Sequence, residues 1–312
     1  MSESDSRHHF IFNPAAGSRA AKARLDAALR ALAPGSYTLH ITKQEGDAAA
    51  YVRAQCEAHG GPLRFYACGG DGTLGEVATG ALVFPQAEVG VWPCGSGNDY
   101  VKYYGGKSRF LDLSRQVEAK SVPVDLMQVG ERCAINAVNL GLEAEAAGAM
   151  VHVRHYPFLN SKNGYLFGVL SAVIKHMRTS CALFGDGEAL HQGDMLTLSL
   201  ACGRYIGGGF MCAPRSENDD GLMELALVRP ISRLQLVRLI GSYKKGEHLP
   251  DPRIQPHIIY RRVKEARIES DKDLRLCLDG EIITGRQFEV KILPRALRFI
   301  LPDFGHDMNE PA

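Results

Sequence analysis

The chain of 312 residues is longer than one hydrophobic core usually allows, so we expect two domains, each able to bury an interior. Hydrophobic residues make up 45% of the sequence and charged residues 23%, which are ordinary values for a folded globular protein. The formal charge of +1 argues against a nucleic-acid partner, because proteins that neutralise many phosphates carry a large basic excess.

The cysteines and the apolar segments favour a cytoplasmic location. The eight cysteines lie mostly in apolar segments without a C-x-x-C pair, which is typical of reduced thiols in a cytoplasmic protein. Residues 1–9 are polar, so we expect no signal peptide. The most apolar stretch, residues 165–174, is shorter than the roughly 20 residues of a transmembrane helix. We therefore expect a cytoplasmic protein whose membrane contact is peripheral, at the inner surface.

The first part of the chain alternates apolar runs that suit buried strands with longer helical patterns. The helical patterns cover residues 20–32 and 47–59. This alternation predicts an α/β domain with a mostly parallel sheet, which binds ligands at the carboxyl ends of its strands. The strand-like runs are residues 10–12, 37–41, 63–67 and 89–92.

From about Asp125 onward, short strand-like segments separated by turn residues dominate, a pattern typical of a β sandwich. Helical patterns at residues 164–177 and 232–243 interrupt it. We predict a first domain of residues 1–124, onto which residues 295–312 pack back, and a β-rich domain of residues 125–294. The strand-like segments are residues 125–129, 133–140, 195–201, 222–228, 258–268, 274–278, 288–293 and 297–301.

Three loops that contain glycine follow predicted strands and precede predicted helices. The strongest signal is Gly-Gly-Asp-Gly-Thr at residues 69–73, whose glycines let the backbone approach a phosphate and point N–H groups at it. Asp71 alone would repel phosphate, so its presence indicates Mg²⁺ or a water-bridged metal. The loops at residues 13–17 and 93–99 are expected on the same rim of the sheet. A capped glycine-rich turn is the alternative interpretation of residues 69–73.

Asp279-Gly280-Glu281 ends the apolar strand predicted at residues 274–278. Phosphoryl transfer needs a carboxylate that accepts the proton of the attacking alcohol. Residues two apart in a strand point the same way, so both carboxylates would enter one cleft if the strand continued. The sequence does not choose between the two acids, and a surface turn with solvated acids is the alternative.

Together these motifs resemble the diacylglycerol kinase catalytic family, which includes bacterial lipid kinases and sphingosine kinases. The resemblance rests on residues 13–17, 69–76, 95–100, 207–222 and 278–281, and it extends over nearly the whole chain. It implies a phosphofructokinase-like nucleotide-binding domain followed by a β-rich sandwich domain for the lipid substrate. It also implies ATP and Mg²⁺ as cofactors.

The resemblance assigns roles to single residues of this sequence. The expected catalytic residues are Asp71, Asp279 and Glu281. The expected ATP contacts are Asn13, Pro14, Ala15, Ala16, Gly17, Thr42, Gly69, Gly70, Asp71, Gly72, Thr73, Glu76, Ser96, Asn98 and Asp99. The expected metal ligands are Asp71, Asp99 and Asp125 near the nucleotide, and Glu217, Asp220 and the Leu222 carbonyl at a structural Mg²⁺ of the second domain.

The sequence departs from the family pattern at a few positions. Ser18 stands where a lysine is common, with Arg19 and Lys22 as candidate replacements. Ser96 replaces a threonine and Lys102 an arginine, so a hydroxyl and a positive charge are kept. Glu224 stands where an aspartate is common, so the sequence does not decide whether this loop binds the structural Mg²⁺.

The predicted function is an ATP- and Mg²⁺-dependent kinase that transfers the γ-phosphate to the hydroxyl of a lipid such as diacylglycerol. The alternatives are an NAD kinase and a nucleotide-binding regulatory protein without turnover. The expected partner is a lipid at a membrane surface, with a homodimer as a candidate assembly and no nucleic acid. Residues 232–245 combine basic and apolar side chains, which suits packing on the domain and, as a second interpretation, membrane docking. His152, His155 and His176 are interpreted as surface or packing residues.

Overall fold

The computed structural model describes residues 7–18, 20–153, 173 and 177–303, without the side chains of residues 149–153. Arg19, His155, His176, the His152 side chain and most of the helix predicted at residues 164–177 lie outside this description. The chain divides into two compact units, Met1–Leu126 with Pro294–Ala312, and Met127–Leu293. Within the described residues, no helix combines the length and apolar composition needed to cross a bilayer.

The first unit is built on a parallel sheet in the order β2-β1-β3-β4. Strands β1, β3 and β4 are buried along almost their whole length, as expected for a parallel sheet covered on both faces. The end of β14 adds a parallel strand beside β4. The elements are β1 His8–Phe12, α1 Ala21–Leu29, β2 Tyr37–Ile41, α2 Asp47–Ala58, β3 Leu63–Gly69, α3 Asp71–Ala81, β4 Ala87–Pro93, α4 Leu113–Glu118 and β5 Lys120–Val129.

The helices of this unit follow from simple spacing rules. In α1 the buried residues are Ala21, Leu25 and Leu29, four residues apart, so one stripe of the helix faces the sheet. That stripe packs in one cluster with Phe10 and Trp92. After the loop that follows β4 the chain forms a short 3₁₀ helix, Tyr100–Tyr104, which ends at Gly105, a residue with a left-handed backbone conformation.

The order of the strands creates a switch point between β1 and β3. The connection that leaves β1 runs to β2 on one side, whereas the connection that leaves β3 runs to β4 on the other. In open α/β sheets the crevice for a ligand forms at this point, outside the carboxyl ends of the strands. The loops after β1, β3 and β4 all lie on that edge.

The second unit is mainly antiparallel, with the strand order β12-β11-β10-β7-β13-β14. The irregularity after Glu269 divides β13, because its first half pairs with β8 and its second half with β7. The elements are β6 Arg132–Ala134, β7 Ala137–Gly141, α5 Leu142–Val153, β8 Thr179–Gly185, β9 Glu188–Met195, β10 Thr197–Ala201, β11 Met223–Val228, α6 Arg233–Lys244, β12 Ile258–Val263, β13 Glu265–Leu278 and β14 Glu281–Leu301.

The core of the second unit draws side chains from both sets of strands. Leu183 of β8 and Ile268 of the first half of β13 belong to the same buried cluster as Leu198 of β10 and Leu276 of the second half. A strand that pairs with one set of strands and then with another is the way a sandwich encloses a core. The predicted fold class, an α/β domain followed by a β sandwich, is confirmed.

Candidate functional site

The loops after β1 and β3 are joined by side-chain and backbone hydrogen bonds. Asn13 donates its backbone N–H to the Cys68 carbonyl (3.1 Å) and its side-chain amide to Thr73 Oγ1 (3.1 Å). Its side-chain oxygen accepts the Ala15 N–H at 2.9 Å, which folds residues 13–15 into a turn. Asn13 therefore holds the first loop against the start of α3.

Glycines allow the loop after β4 to approach the other two. Gly17 has a positive φ of 76°, and a Cβ at this position would lie 2.0 Å from the Cys94 carbonyl oxygen. A Cβ on Gly95 would lie 2.4 Å from the Gly70 Cα. Only glycine fits at either position, so the three loops predicted at residues 13–17, 69–73 and 93–99 form one connected surface.

The Gly69 carbonyl is the centre of this connection. It accepts the backbone N–H groups of Cys94 (3.0 Å) and Gly95 (2.9 Å), and also the side-chain amide of Asn98 (2.9 Å). The Asn98 side-chain oxygen is buried and has no hydrogen-bond partner among the described residues. A buried amide oxygen without a partner is costly unless water or a ligand satisfies it.

Helix α3 begins at Asp71, immediately after Gly70. The free N–H groups and the positive dipole end of a helix make its N-terminus a ready site for phosphate. Thr73 lies in the first turn of the helix and is buried. Glu76, further along α3, accepts the Ala48 N–H at 3.2 Å and so caps α2. This contact gives Glu76 a structural role besides the nucleotide contact predicted for it.

Two carboxylates converge beside these loops. A Cβ placed on Gly97 would lie 3.1 Å from Asp71 Oδ2 and 3.2 Å from Asp99 Oδ2. Burial and the nearby Asp99 charge raise the pKa of Asp71 to about 6, although the Tyr100 N–H donates to Asp71 Oδ1 at 3.1 Å. Burial and the neighbouring carboxylate thus disfavour the ionised form of Asp71, and a bound cation would favour it.

Lysines provide part of the opposite charge. Lys102 forms an ion pair with Asp99. Lys107 donates to the Gly95 carbonyl at 2.8 Å, and burial together with the Lys102 charge lowers its pKa. The sequence analysis did not predict a role for Lys107. This residue lies eight positions after the loop at residues 93–99, in a short 3₁₀ helix, Lys107–Phe110. Lys22, a candidate for the missing family lysine, pairs with Asp26 at 2.5 Å.

Several residues predicted to contact ATP lie on the same loops with few contacts of their own. Thr42 is buried directly after β2, where its N–H donates to the Phe12 carbonyl at 2.9 Å. Pro14 and Ser96 are exposed. Asp125 is fully buried on β5 and accepts the Arg295 N–H at 2.7 Å, a contact that fixes the backbone of β14.

Asp279 lies in the second unit, in the two-residue turn between β13 and β14. Asp279 and Gly280 have positive φ values of 48° and 102°, so the strand does not continue and its alternation does not relate Asp279 to Glu281. The buried Asp279 carboxylate accepts the N–H groups of Ile135 (2.7 Å) and Ala137 (2.8 Å), with Asn136 at 3.2 Å. Its oxygens are therefore occupied by backbone donors.

Glu281 has a different environment. It begins β14 opposite Leu278, is partly exposed, and forms an ion pair with Arg132 at 3.1 Å. One of its oxygens is thus neutralised by a guanidinium group, which is itself partly exposed. Of the two acids that the sequence left open, Glu281 has the carboxylate better placed to accept a proton from an incoming alcohol.

The residues predicted for a structural Mg²⁺ lie beside a protein cation. Arg262 forms ion pairs with Asp220 and, at 2.9 Å, with Glu224, so one positive charge offsets part of the charge of these two carboxylates. Asp220 Oδ1 accepts the Leu222 N–H at 3.0 Å, and Glu217 is exposed. Within the described ranges, no group of three His, Cys, Asp or Glu side chains is arranged to hold a metal.

The second unit also contains an apolar cavity of about 100 Å³ next to α6. Its wall also includes the polar side chains of Glu143, Thr197, Tyr243, His248 and His257. The half-buried Glu143 accepts hydrogen bonds from Tyr243 (2.5 Å) and Ser199 (2.7 Å). Burial raises the pKa of Glu143, and these two hydrogen bonds oppose the rise. The apolar residues of the wall are Leu142, Ala146, Leu196, Ile206, Phe210, Val228, Ile231, Leu236, Leu239, Ile240, Ile254 and Ile258.

Comparison with known proteins gives concordant results for both units. Residues 7–129 match the diacylglycerol kinase catalytic domain, and residues 136–301 match the YegS C-terminal NAD kinase beta sandwich-like domain. The lipid kinase YegS of Escherichia coli (strain K12) is 30% identical over 280 residues, covering 85% of this chain and 87% of that protein. The probable lipid kinase YegS-like protein of Enterobacter sp. (strain 638) is 29% identical over 273 residues, with coverage of 85% and 86%.

Solved structures show the same fold. Two structures from Bacillus anthracis str. Sterne, 20% and 17% identical in sequence, align with TM-scores of 0.71 and 0.64. Each alignment covers 95% of this chain and 97% of the other chain, and the second of the two structures is titled as that of a diacylglycerol kinase.

Proposed function

Since the chain belongs to the diacylglycerol kinase catalytic family and is a lipid kinase, we propose that it transfers the γ-phosphate of ATP to the hydroxyl of a lipid such as diacylglycerol. The observation that carries this proposal is the connected surface of three loops at the switch point of the parallel sheet. It joins a helix N-terminus, glycines that no side chain could replace, and a pair of carboxylates.

The first unit binds the nucleotide in this proposal. The N–H groups at the start of α3 and of the loop at residues 69–73 hold the phosphates, with Asn13 fixing the neighbouring loop. Lys107, tied to the Gly95 carbonyl, adds positive charge beside the same loop. Thr42 and Ser96 lie after β2 and β4 on the same edge, where a nucleotide would extend.

Asp71 and Asp99, whose Oδ2 atoms both lie beside Gly97, would hold a Mg²⁺ ion. When bound, Mg²⁺ supplies positive charge that offsets the charge developing on the transferred phosphoryl group. The residues of the chain position the phosphates and keep the two carboxylates together. The Asp220 loop is not part of this proposal, because Arg262 already pairs with Asp220.

Glu281 accepts the proton of the lipid hydroxyl, and Asp279 positions the turn that presents it. Asp279 is anchored by three backbone N–H groups, whereas Glu281 is partly exposed and forms an ion pair with Arg132. The proton moves from the hydroxyl oxygen to a Glu281 carboxylate oxygen as the hydroxyl oxygen attacks the γ-phosphorus, and the bond from that phosphorus to the β,γ-bridging oxygen breaks and releases ADP. Arg132 orients the Glu281 carboxylate.

The apolar cavity favours a lipid as acceptor over NAD. A short part of an acyl chain fits the volume of about 100 Å³ and gains about 25 cal/mol for each Å² of apolar surface removed from water against the aliphatic wall. A nicotinamide nucleotide is too large for this cavity, because pockets for ligands of drug size have volumes of ~300–1,000 Å³. A lipid substrate also places the enzyme at the inner membrane surface of the cytoplasm, in peripheral contact.

Incubation of the full-length protein with a total lipid extract and γ-phosphate-labelled ATP tests the proposal. Mass spectrometry should identify a labelled phospholipid formed only when Mg²⁺ is present. NAD in place of the lipid is the matched acceptor control. Labelled NADP without labelled lipid, or the absence of any labelled product, would contradict the proposed function.

A further inference from the structure

Helix α6, Arg233–Lys244, has two dissimilar apolar faces. One face contributes Leu236, Leu239 and Ile240 to the wall of the cavity. Leu234 and Val237 are instead 60% and 67% exposed. These two side chains are three residues apart and so lie on the same side of the helix. The sequence favoured a helix that packs on the domain. This interpretation explains the face that lines the cavity, but it does not explain the exposed face of Leu234 and Val237.

The other exposed large hydrophobic side chains of the described residues are Ile41, Val83 and Leu111. They come from three separate segments of the first unit. Leu234 and Val237 are the exposed pair that a single helix brings together. Isolated exposed apolar residues are normal on a protein surface, whereas a pair on one helix face indicates a contact surface.

Basic residues continue the exposed face. Arg238 and Lys245 are exposed and follow Leu234 by four and eleven residues, which at 3.6 residues per turn keeps them on its side of the helix. Lys244 lies nearby with its ammonium 5.9 Å from the centre of the Phe210 ring. The helix itself contains no Asp or Glu. The exposed Glu247 follows its end, as does Asp251, which pairs with Arg253 at 2.6 Å.

This combination of charge and apolarity matches a membrane surface better than a protein surface. Interfacial helices bury a few apolar side chains ~5–10 Å deep at the boundary of headgroups and acyl chains, while basic residues contact anionic lipids. A protein partner would need a far larger apolar area than two side chains provide. The reverse face of the same helix lines the cavity proposed for the acyl chain.

We propose that the exposed face of α6 docks the protein onto an anionic bilayer. Leu234 and Val237 enter the headgroup layer, and Arg238 and Lys245 contact lipid phosphates. The helix then lies between the bilayer and the apolar cavity. This inference rests on the proposed function where it takes the bilayer to be the source of the lipid acceptor.

Flotation of the full-length protein with vesicles tests the docking face. The vesicles contain phosphatidylcholine alone or phosphatidylcholine mixed with phosphatidylglycerol, at low and at high salt. Wild type should float with the mixed vesicles and lose binding at high salt, because exposed charges are screened. Each basic residue near an anionic surface tightens binding by about fivefold, so Arg238→Glu with Lys245→Glu should weaken it at least about twentyfold. Leu234→Gln with Val237→Gln should weaken binding to the mixed vesicles at low salt, where wild type binds.

Matched controls separate docking from folding. Val83→Gln removes an exposed valine of the first unit, and Lys272→Glu reverses an exposed charge of the second unit. Both should bind vesicles as wild type does. Circular dichroism melting establishes that each variant folds, so a variant with a lower melting temperature is replaced by Leu234→Ala or Arg238→Gln.

Kinase activity separates this inference from the proposed function. On monomeric short-chain diacylglycerol the α6 variants should keep wild-type rates within about twofold, whereas on vesicle-borne diacylglycerol they should be slower. Equal vesicle binding by wild type and both double variants would overturn the docking proposal. A wild-type dimer that Leu234→Gln with Val237→Gln dissociates, without vesicle binding, would overturn it as well. An absence of kinase activity on every acceptor would overturn the proposed function, while flotation would still decide the docking face.

Discussion

Asp71 shows how one residue combines a folding cost with a binding role. Its pKa is raised from 3.8 to about 6 by burial and by the Asp99 charge. An acid whose pKa rises on folding adds stability below its unfolded pKa, and this stability is lost as the pH rises through the folded value. At neutral pH the ionised Asp71 therefore destabilises the free protein by on the order of 3 kcal/mol, which a bound cation would offset.

We expect Asp71→Asn to remain folded and to melt at the same or a higher temperature than wild type at neutral pH. Its melting temperature should depend less on pH between about 4 and 6, because the group that titrates there is gone. Turnover should fall by about 10²-fold or more, since the cation loses a charged ligand. Thermal melting across this pH range and a lipid kinase assay measure both effects. A folded variant with wild-type turnover would contradict the role given to Asp71.

Substitution separates Asp279 from Glu281. Asp279→Asn turns an –NH₂ group toward backbone N–H donors, so it should lower the free energy of unfolding by about 2 to 4 kcal/mol. Glu281→Gln should fold normally, bind ATP with unchanged affinity and lower turnover about 10²- to 10⁴-fold. Denaturant unfolding, calorimetry and kinetics give the three readouts. If Glu281→Gln had normal turnover, Glu281 would not be the proton acceptor.

At the scale of elements, the sequence predicts the first unit better than the second. Buried parallel strands are continuous apolar runs, so β3 and the loop that begins at Gly70 could be placed from the sequence. The hairpin of β8 and β9 was missed because β9 is polar and largely exposed. Asp186-Gly187, both with positive φ, is the turn signal that could have revealed it.

Long-range contacts explain what the sequence could not predict about the site. The ion pair of Glu281 with Arg132 joins residues that are 149 positions apart, and Asp220 meets Arg262 across 42 positions. No local pattern encodes such pairs. The strand alternation expected for Asp279 and Glu281 failed because the turn begins at Asp279 itself.

The loop after β4 contacts the loop after β3 where Gly95 lies against Gly70. We expect Gly95→Ala to weaken ATP binding and to lower the melting temperature, because its Cβ would press on the Gly70 backbone and separate the loops. Gly61→Ala is the control, since no atom lies within 4 Å of the added Cβ. Calorimetric titration with ATP and thermal melting compare the two. Wild-type ATP affinity in Gly95→Ala would show that the close approach of the loops is not needed for binding.

At the scale of the whole molecule, the first unit is assembled from two distant parts of the sequence. The end of β14 pairs with β4 and contributes the buried side chains of Leu297, Phe299 and Ile300. Burial of such side chains is worth about 1.5 to 3 kcal/mol each, so together they match the net stability of a typical domain.

A chain truncated after Leu293 should therefore fail to form a stable nucleotide-binding unit. Its circular dichroism signal should lack a cooperative transition for that unit, and ATP should not raise the melting temperature as it does for the full chain. A chain truncated after Asp303 keeps the strand and is the matched control. Cooperative melting with an ATP-dependent shift in the shorter chain would show that β14 is dispensable for nucleotide binding.

The return of β14 also sets the order of events during synthesis. The other strands of the first unit leave the ribosome by residue 126, whereas the strand that completes the sheet beside β4 begins to follow only after residue 293. At ~5–20 residues per second this interval lasts roughly 8 to 35 seconds. During that time β4 lacks this neighbour, and an unpaired strand edge is a site where chains associate wrongly. In the proposed function, ATP stabilises the complete first unit only after this strand has been synthesised.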